Sequence, residues 1–93
     1  MAHSPGTFRI SRHALEQMAV RGIPEGLVHA VLAAPDAVQP ADRPARRILQ
    51  RIVAMGDPPF RALLRIVVDM TDSPPAVVTV YATTQFRRYG AEP

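Results

Sequence analysis

The residues of this chain that could move protons or grip phosphate are three histidines and eleven arginines, with no lysine and no cysteine beside them. His13 stands in "SRHALEQMAVRGIP", residues 11–24, where His13, Gln17 and Arg21 recur every four positions and so line one stripe of a helix. At the second position of that helix His13 feels the positive end of the dipole, which favours the neutral imidazole, and a neutral imidazole can act as a general base. Arg21 falls at the negative end, where a cation is favoured. A second group lies on strand-like runs. In "ALLRIVVDM", Leu63, Arg65, Val67 and Asp69 share one face and Leu64, Ile66 and Val68 the other; in "VVTVYATT", Thr79, Tyr81 and Thr83 lie opposite Val78, Val80 and Ala82. Paired as a hairpin, the two runs place Arg65 beside Thr79, Tyr81 and Thr83, a guanidinium among hydroxyls that could hold a phosphate in a two-pronged fork. The same set also fits the solvated face of an antiparallel sheet, with Arg65 paired to Asp69 or laid along apolar surface.

His3 and His29 have no comparable setting; His29 shares a helical run with apolar residues and reads as structural. The three histidines lack ligand spacing and have no carboxylate placed to help them, so no metal site is expected.

Two short helices must carry the first group. Ser11 is a fitting N-cap for a helix whose apolar strip is Ala14, Leu15 and Met18, and Gly22 suits the left-handed residue that ends it, with Ile23 making the accompanying apolar contact. Pro24 opens a second helix, in which Leu27, Val28, Val31 and Leu32 keep helical spacing and Pro35 ends the run. After it, "DAVQP" reads as a short strand and "PADRPA" as a loop. "RRILQRIVAM" fits helix or strand, and the turn signal "GDPPF" before the β-rich "RALLRIVVDM" decides for strand. "TDSPP" is a further turn and "AVVTVYATT" the clearest strand. The expectation is an α+β domain in which two N-terminal helices pack on a three- to four-stranded antiparallel sheet. It is a single domain over residues 1–93, with a core from about 8 to 89 and frayed ends at 1–6 and 91–93.

Ninety-three residues suit one small domain with a thin core. No run approaches the roughly 20 apolar residues that span a bilayer, and "MAHSPGTFRI" lacks the basic start and apolar stretch of a secretory signal. With no cysteine to oxidise, the chain reads as a soluble cytoplasmic protein. A net charge of +3 and a pI of about 10.6, carried wholly by guanidinium, lean towards nucleic acid or an acidic protein partner.

The blocks "SRHALEQMAVRGI", "LLRIVVD" and "VVTVYATTQFRRY", in that order from about Ile10 to Tyr89, resemble the family catalogued as domain of unknown function 4258. That family is grouped with the barnase, EndoU, colicin and RelE-like ribonucleases, many of them toxins. The resemblance implies a RelE-like or microbial-ribonuclease-like fold and recurrent polar positions at His13, Arg21, Arg65, Thr79, Tyr81, Thr83 and Tyr89. Where the family often has serine then lysine, this chain has Thr84 and Gln85, and Gly90 follows Tyr89 where tryptophan is common. The activity implied is metal-independent endoribonuclease cleavage without a cofactor, in which a ribose 2′-OH attacks the adjacent phosphate. His13 would serve as general base or acid, Arg65 would hold the transition-state phosphate with Arg21, and Tyr81 or Tyr89 would donate a proton. Thr83 or Thr84 would bind a phosphate oxygen. The cleft would lie where the first helix crosses the sheet. The partners implied are RNA and an antitoxin or immunity protein. Two other functions fit the residues: a module of the same fold that binds RNA or protein without chemistry, and a small structural protein that dimerises through a strand edge.

Overall fold

The computed structural model describes residues 7–92; His3 and the expected frayed end at 1–6 lie outside them, as does residue 93. In chain order the elements are β1 (Arg9–Ile10), α1 (Arg12–Arg21), α2 (Glu25–Ala33), β2 (Ala37–Pro40), β3 (Arg46–Met55), β4 (Phe60–Asp69), β5 (Ala76–Thr83) and a 3₁₀ turn (Arg87–Tyr89).

Both ends of α1 form as their residues dictate. Ser11 keeps extended backbone while its Oγ accepts from the Ala14 N–H at 3.1 Å. Gly22 closes the helix at φ 65°, and the Ile23 N–H returns to the Met18 carbonyl at 2.9 Å, burying the Ile23 side chain. Pro24 is the N-cap of α2, its carbonyl accepting from Leu27 and Val28.

The fold is α+β, but the sheet is five-stranded and mixed, in the order β1-β5-β4-β3-β2, rather than three- or four-stranded and antiparallel. The added strand is the pair of residues ahead of the Ser11 cap. Arg9 donates to the Pro75 carbonyl and Ser11 to the Val77 carbonyl, so β1 runs parallel to β5 and hands the chain straight into the helix. The other neighbours are antiparallel, with Gln50 opposite Arg65 and Arg65 opposite Tyr81. A bulge at Val67/Val68 corrects one expected face: Val68 pairs with Val77, so Val77 rather than Val78 enters the core beside Val80.

The helices cover one face of the sheet. Ala14, Met18, Ile23, Val28, Val31 and Leu32 pack there against Leu49, Leu64, Ile66, Val68, Val77 and Val80. Leu15, expected in the apolar strip, points outward and is 43% exposed, because α1 meets the sheet along the narrow Ala14–Met18 line. Among the described residues no helix is long and apolar enough to cross a membrane. On the far face of the sheet, free of helices, the C-terminal segment folds back.

Candidate functional site

Arg65 sits in the middle of the helix-free face and is only 5% exposed. Its Nε donates to Gln50 Oε1 and its Nη2 to Gln39 Oε1, each at 2.9 Å, and its Nη1 donates to the Tyr81 hydroxyl. The amide nitrogens of the same two glutamines donate to the Tyr89 carbonyl, each at 3.1 Å. The Tyr89 ring lies 3.9 Å from Arg65 Cζ and meets the Tyr81 ring edge-on. Among the described residues no carboxylate bonds this guanidinium; neutral oxygens and ring faces surround its charge. Sequence reading left out Gln39 and Gln50. The four-residue turn 56–59 already carried that signal, since pairing Met55 with Phe60 sets Gln50 opposite Arg65.

A different polar line runs along α1. β1 pairs with only the start of β5, so the outer edge of β5 at Val80 needs another partner. Gln17 Oε1 accepts from the Val80 N–H at 3.0 Å, and Arg21 Nη1 donates to the Val80 carbonyl at 2.6 Å. With its oxygen turned to Val80, Gln17 presents its amide N–H₂ to His13 Nε2 at 3.0 Å. In that arrangement His13 Nε2 is the acceptor, which corresponds to the tautomer with its hydrogen on Nδ1. His13 itself is exposed.

Arg21 is shared by two adjoining depressions. One holds His13, Glu16, Gln17 and Val20; the other, a cleft of about 420 Å³, is lined by Met55, Phe60, Ala62, Ala82, Thr83, Thr84 and Gln85. Thr84 and Gln85 also border a third hollow that carries Arg87 and Arg88. A groove thus runs from His13 past Arg21 to Arg88. At its far end Thr83 Oγ1 accepts from the Gln85 N–H, and Gln85 Oε1 accepts from Arg88 Nη1 at 3.2 Å. Gln85 itself brings no charge, but it positions Arg88 at this corner. Gly90 ends the 3₁₀ turn at φ 71°.

The structure therefore divides the expected site residues. His13, Arg21, Thr83 and Thr84 fall along the groove. Arg65, Tyr81 and Tyr89 form the network on the opposite face, and Thr79 lies farther along that face beside Val67, in a hollow with Arg43 and Arg46. The expected cleft with His13 on one wall and Arg65 on the other does not form, because Arg65 projects from the face that the helices leave uncovered. His29 is exposed on α2 and pairs with Glu25 at 3.2 Å rather than packing among apolar residues. Asp69 pairs with Arg46 at 3.4 Å, not with Arg65. The Thr71 hydrogen bonds, then Arg46, hold its carboxyl below the ordinary aspartate value.

Residues 10–82 match the model of a family described as a domain of unknown function (DUF4258). The match takes in α1 and the strands through Ala82 and stops short of Thr83, Thr84 and Tyr89, so it is shorter than the expected likeness to Tyr89. No curated protein and no solved structure matches the chain.

Proposed function

This chain belongs to the DUF4258 family, and we propose that it binds single-stranded RNA along the groove between α1 and the end of β5. One observation carries the reading: Arg21 is exposed, has a single hydrogen bond among the described residues, and stands where the His13 depression joins the Thr83–Thr84 cleft. A guanidinium with free donors beside hydroxyls suits phosphate oxygens, and Arg87 and Arg88 add two cations in the next hollow, against the one carboxylate of Glu92 there.

His13 favours a second reading, metal-independent cleavage. Its Nε2 accepts from the Gln17 amide and its ring is open to the groove, so a ribose hydroxyl that displaces that amide meets the lone pair. In that reaction His13 takes the proton of a ribose 2′-OH, and the 2′ oxygen bonds to the adjacent phosphorus. The 5′ oxygen leaves with a proton from water, which gives a cyclic phosphate end. Arg21 bears the charge on the phosphoryl oxygens, and Thr83 or Thr84 donates to them. Kinship with RelE-like ribonucleases, a toxin role, a cytoplasmic setting and an antitoxin or immunity partner all belong to this second reading.

One experiment tests both. A labelled single-stranded RNA is titrated with wild type, Arg21→Gln and His13→Ala, and the RNA is then run on a gel. Wild type binds with salt-dependent affinity, and Arg21→Gln weakens binding and lowers the salt slope by about 1. His13→Ala binds like wild type and leaves the RNA whole. No salt-dependent binding by wild type sinks the first reading, and uncut RNA with wild type sinks the second.

A further inference from the structure

We infer that the cleft beyond the end of α1 is a seat for one nucleobase, stacked on the ring of Phe60; the inference rests on the RNA-binding reading above. Phe60 is the first residue of β4 and is 52% exposed, although Ala62 beside it on the cleft floor is buried. The ring is held in place. It lies over Gly56 so closely that a Cβ there would stand 2.7 Å from Phe60 Cε1 and 3.0 Å from Cδ1. Gly56 also adopts φ +84°, so glycine serves both the tight turn and the close approach of the ring. Met55 is the cross-strand partner of Phe60, which fixes the ring from the β3 side.

The rest of the cleft suits a nucleotide. Ala62 and Ala82 are small and leave the floor low, while Arg21 lines it with a cation and Thr84 with a hydroxyl residue. An exposed aromatic next to a guanidinium is the pairing that single-strand binders use, with the ring taking the base and the cation the phosphate. A volume of about 420 Å³ is ample for one base. Because every base has a π face, the seat accepts purines and pyrimidines alike.

The test compares a labelled single-stranded RNA with a strand of the same length whose central nucleotides lack bases. Phe60→Leu weakens binding of the intact RNA by about 5- to 150-fold, the range for loss of one base stack, and binds the abasic strand as wild type does. Phe60→Trp retains affinity, and because the chain has no other tryptophan its emission reports the site directly. Intact RNA quenches that emission and the abasic strand does not. Phe60→Leu binding intact RNA like wild type, or losing affinity equally for both strands, overturns the base seat and leaves RNA binding standing. An unquenched tryptophan in a variant that binds RNA does the same. If wild type binds neither strand, both readings fall together.

Discussion

Arg65 and Arg21 lie on opposite faces of one sheet. Arg65 is buried, has three side-chain oxygens as acceptors, and is covered by the Tyr89 ring. Arg21 is exposed, gives one hydrogen bond to the Val80 carbonyl, and opens on a groove. The first arrangement is closed on itself. Each glutamine that accepts from Arg65 also donates to the Tyr89 carbonyl, so the cation, the two amides and the returning backbone form one connected network, with the Tyr81 hydroxyl attached. A fully satisfied buried network rigidifies a fold and leaves few donors for a ligand. Residue type nominates a site, whereas burial and partner count decide between scaffold and contact.

The largest effect should therefore come from Arg65 and should be on stability. Arg65→Met leaves the buried Gln50 Oε1 and the half-buried Gln39 Oε1 and Tyr81 hydroxyl short of a partner, which costs about 3 kcal/mol. For a domain of this size that lowers Tm by more than about 12 °C, readable by thermal unfolding. Arg65→Lys does not rescue it, since one ammonium on a flexible stem cannot reproduce the planar fork. An Arg65→Met protein with unchanged Tm and lost RNA binding would break the comparison by making Arg65 the contact.

Much of the frame behind this contrast was legible in the sequence. Ser11 and Gly22 specify the ends of α1 through local chemistry, and strict alternation put Arg65 and Tyr81 on one face. The His13–Gln17–Arg21 stripe was also visible, but not its target. Nothing within the helix says that β1 stops after two residues and leaves Val80 to be capped by Gln17 and Arg21. The burial of Arg65 was hidden for a similar reason, because its cover comes from Tyr89 and its acceptors from positions 15 and 26 residues away. The bulge that sends Val77 inward in place of Val78 has no signature in period-2 counting, which carries an unbroken register through it.

A smaller effect separates the ring of Tyr89 from its backbone. Tyr89→Ala keeps the carbonyl that both glutamines bond but removes the ring 3.9 Å from Arg65 Cζ, for a loss of about 1–2 kcal/mol. Tyr89→Phe stays near wild type, because the ring face makes the contact. Chemical denaturation reads both variants. RNA affinity in Tyr89→Ala should fall by no more than the share of Arg88, whose guanidinium lies 5.5 Å from that ring, since Arg21 lies across the sheet; a loss as large as that of Arg21→Gln would show that the two surfaces are coupled.

The smallest effect uses acid to contrast Arg65 with its neighbour Arg46. Arg46 has a carboxylate partner in Asp69, whose folded-state pKa is depressed by Thr71 and then by Arg46. A depressed carboxyl contributes stability that is complete above the ordinary aspartate range and is lost as pH falls through the folded value. Asp69→Asn removes that contribution, so its urea midpoint lies slightly below wild type at neutral pH, and the two converge on acidification. The gap between wild type and Tyr89→Ala should not move over the same range. Gln39 and Gln50 carry neutral amides, so among the described residues acid finds no carboxylate on Arg65. If that second gap also narrowed in acid, a carboxylate would be sharing the charge of Arg65, and the network would not be the neutral scaffold that separates it from Arg21.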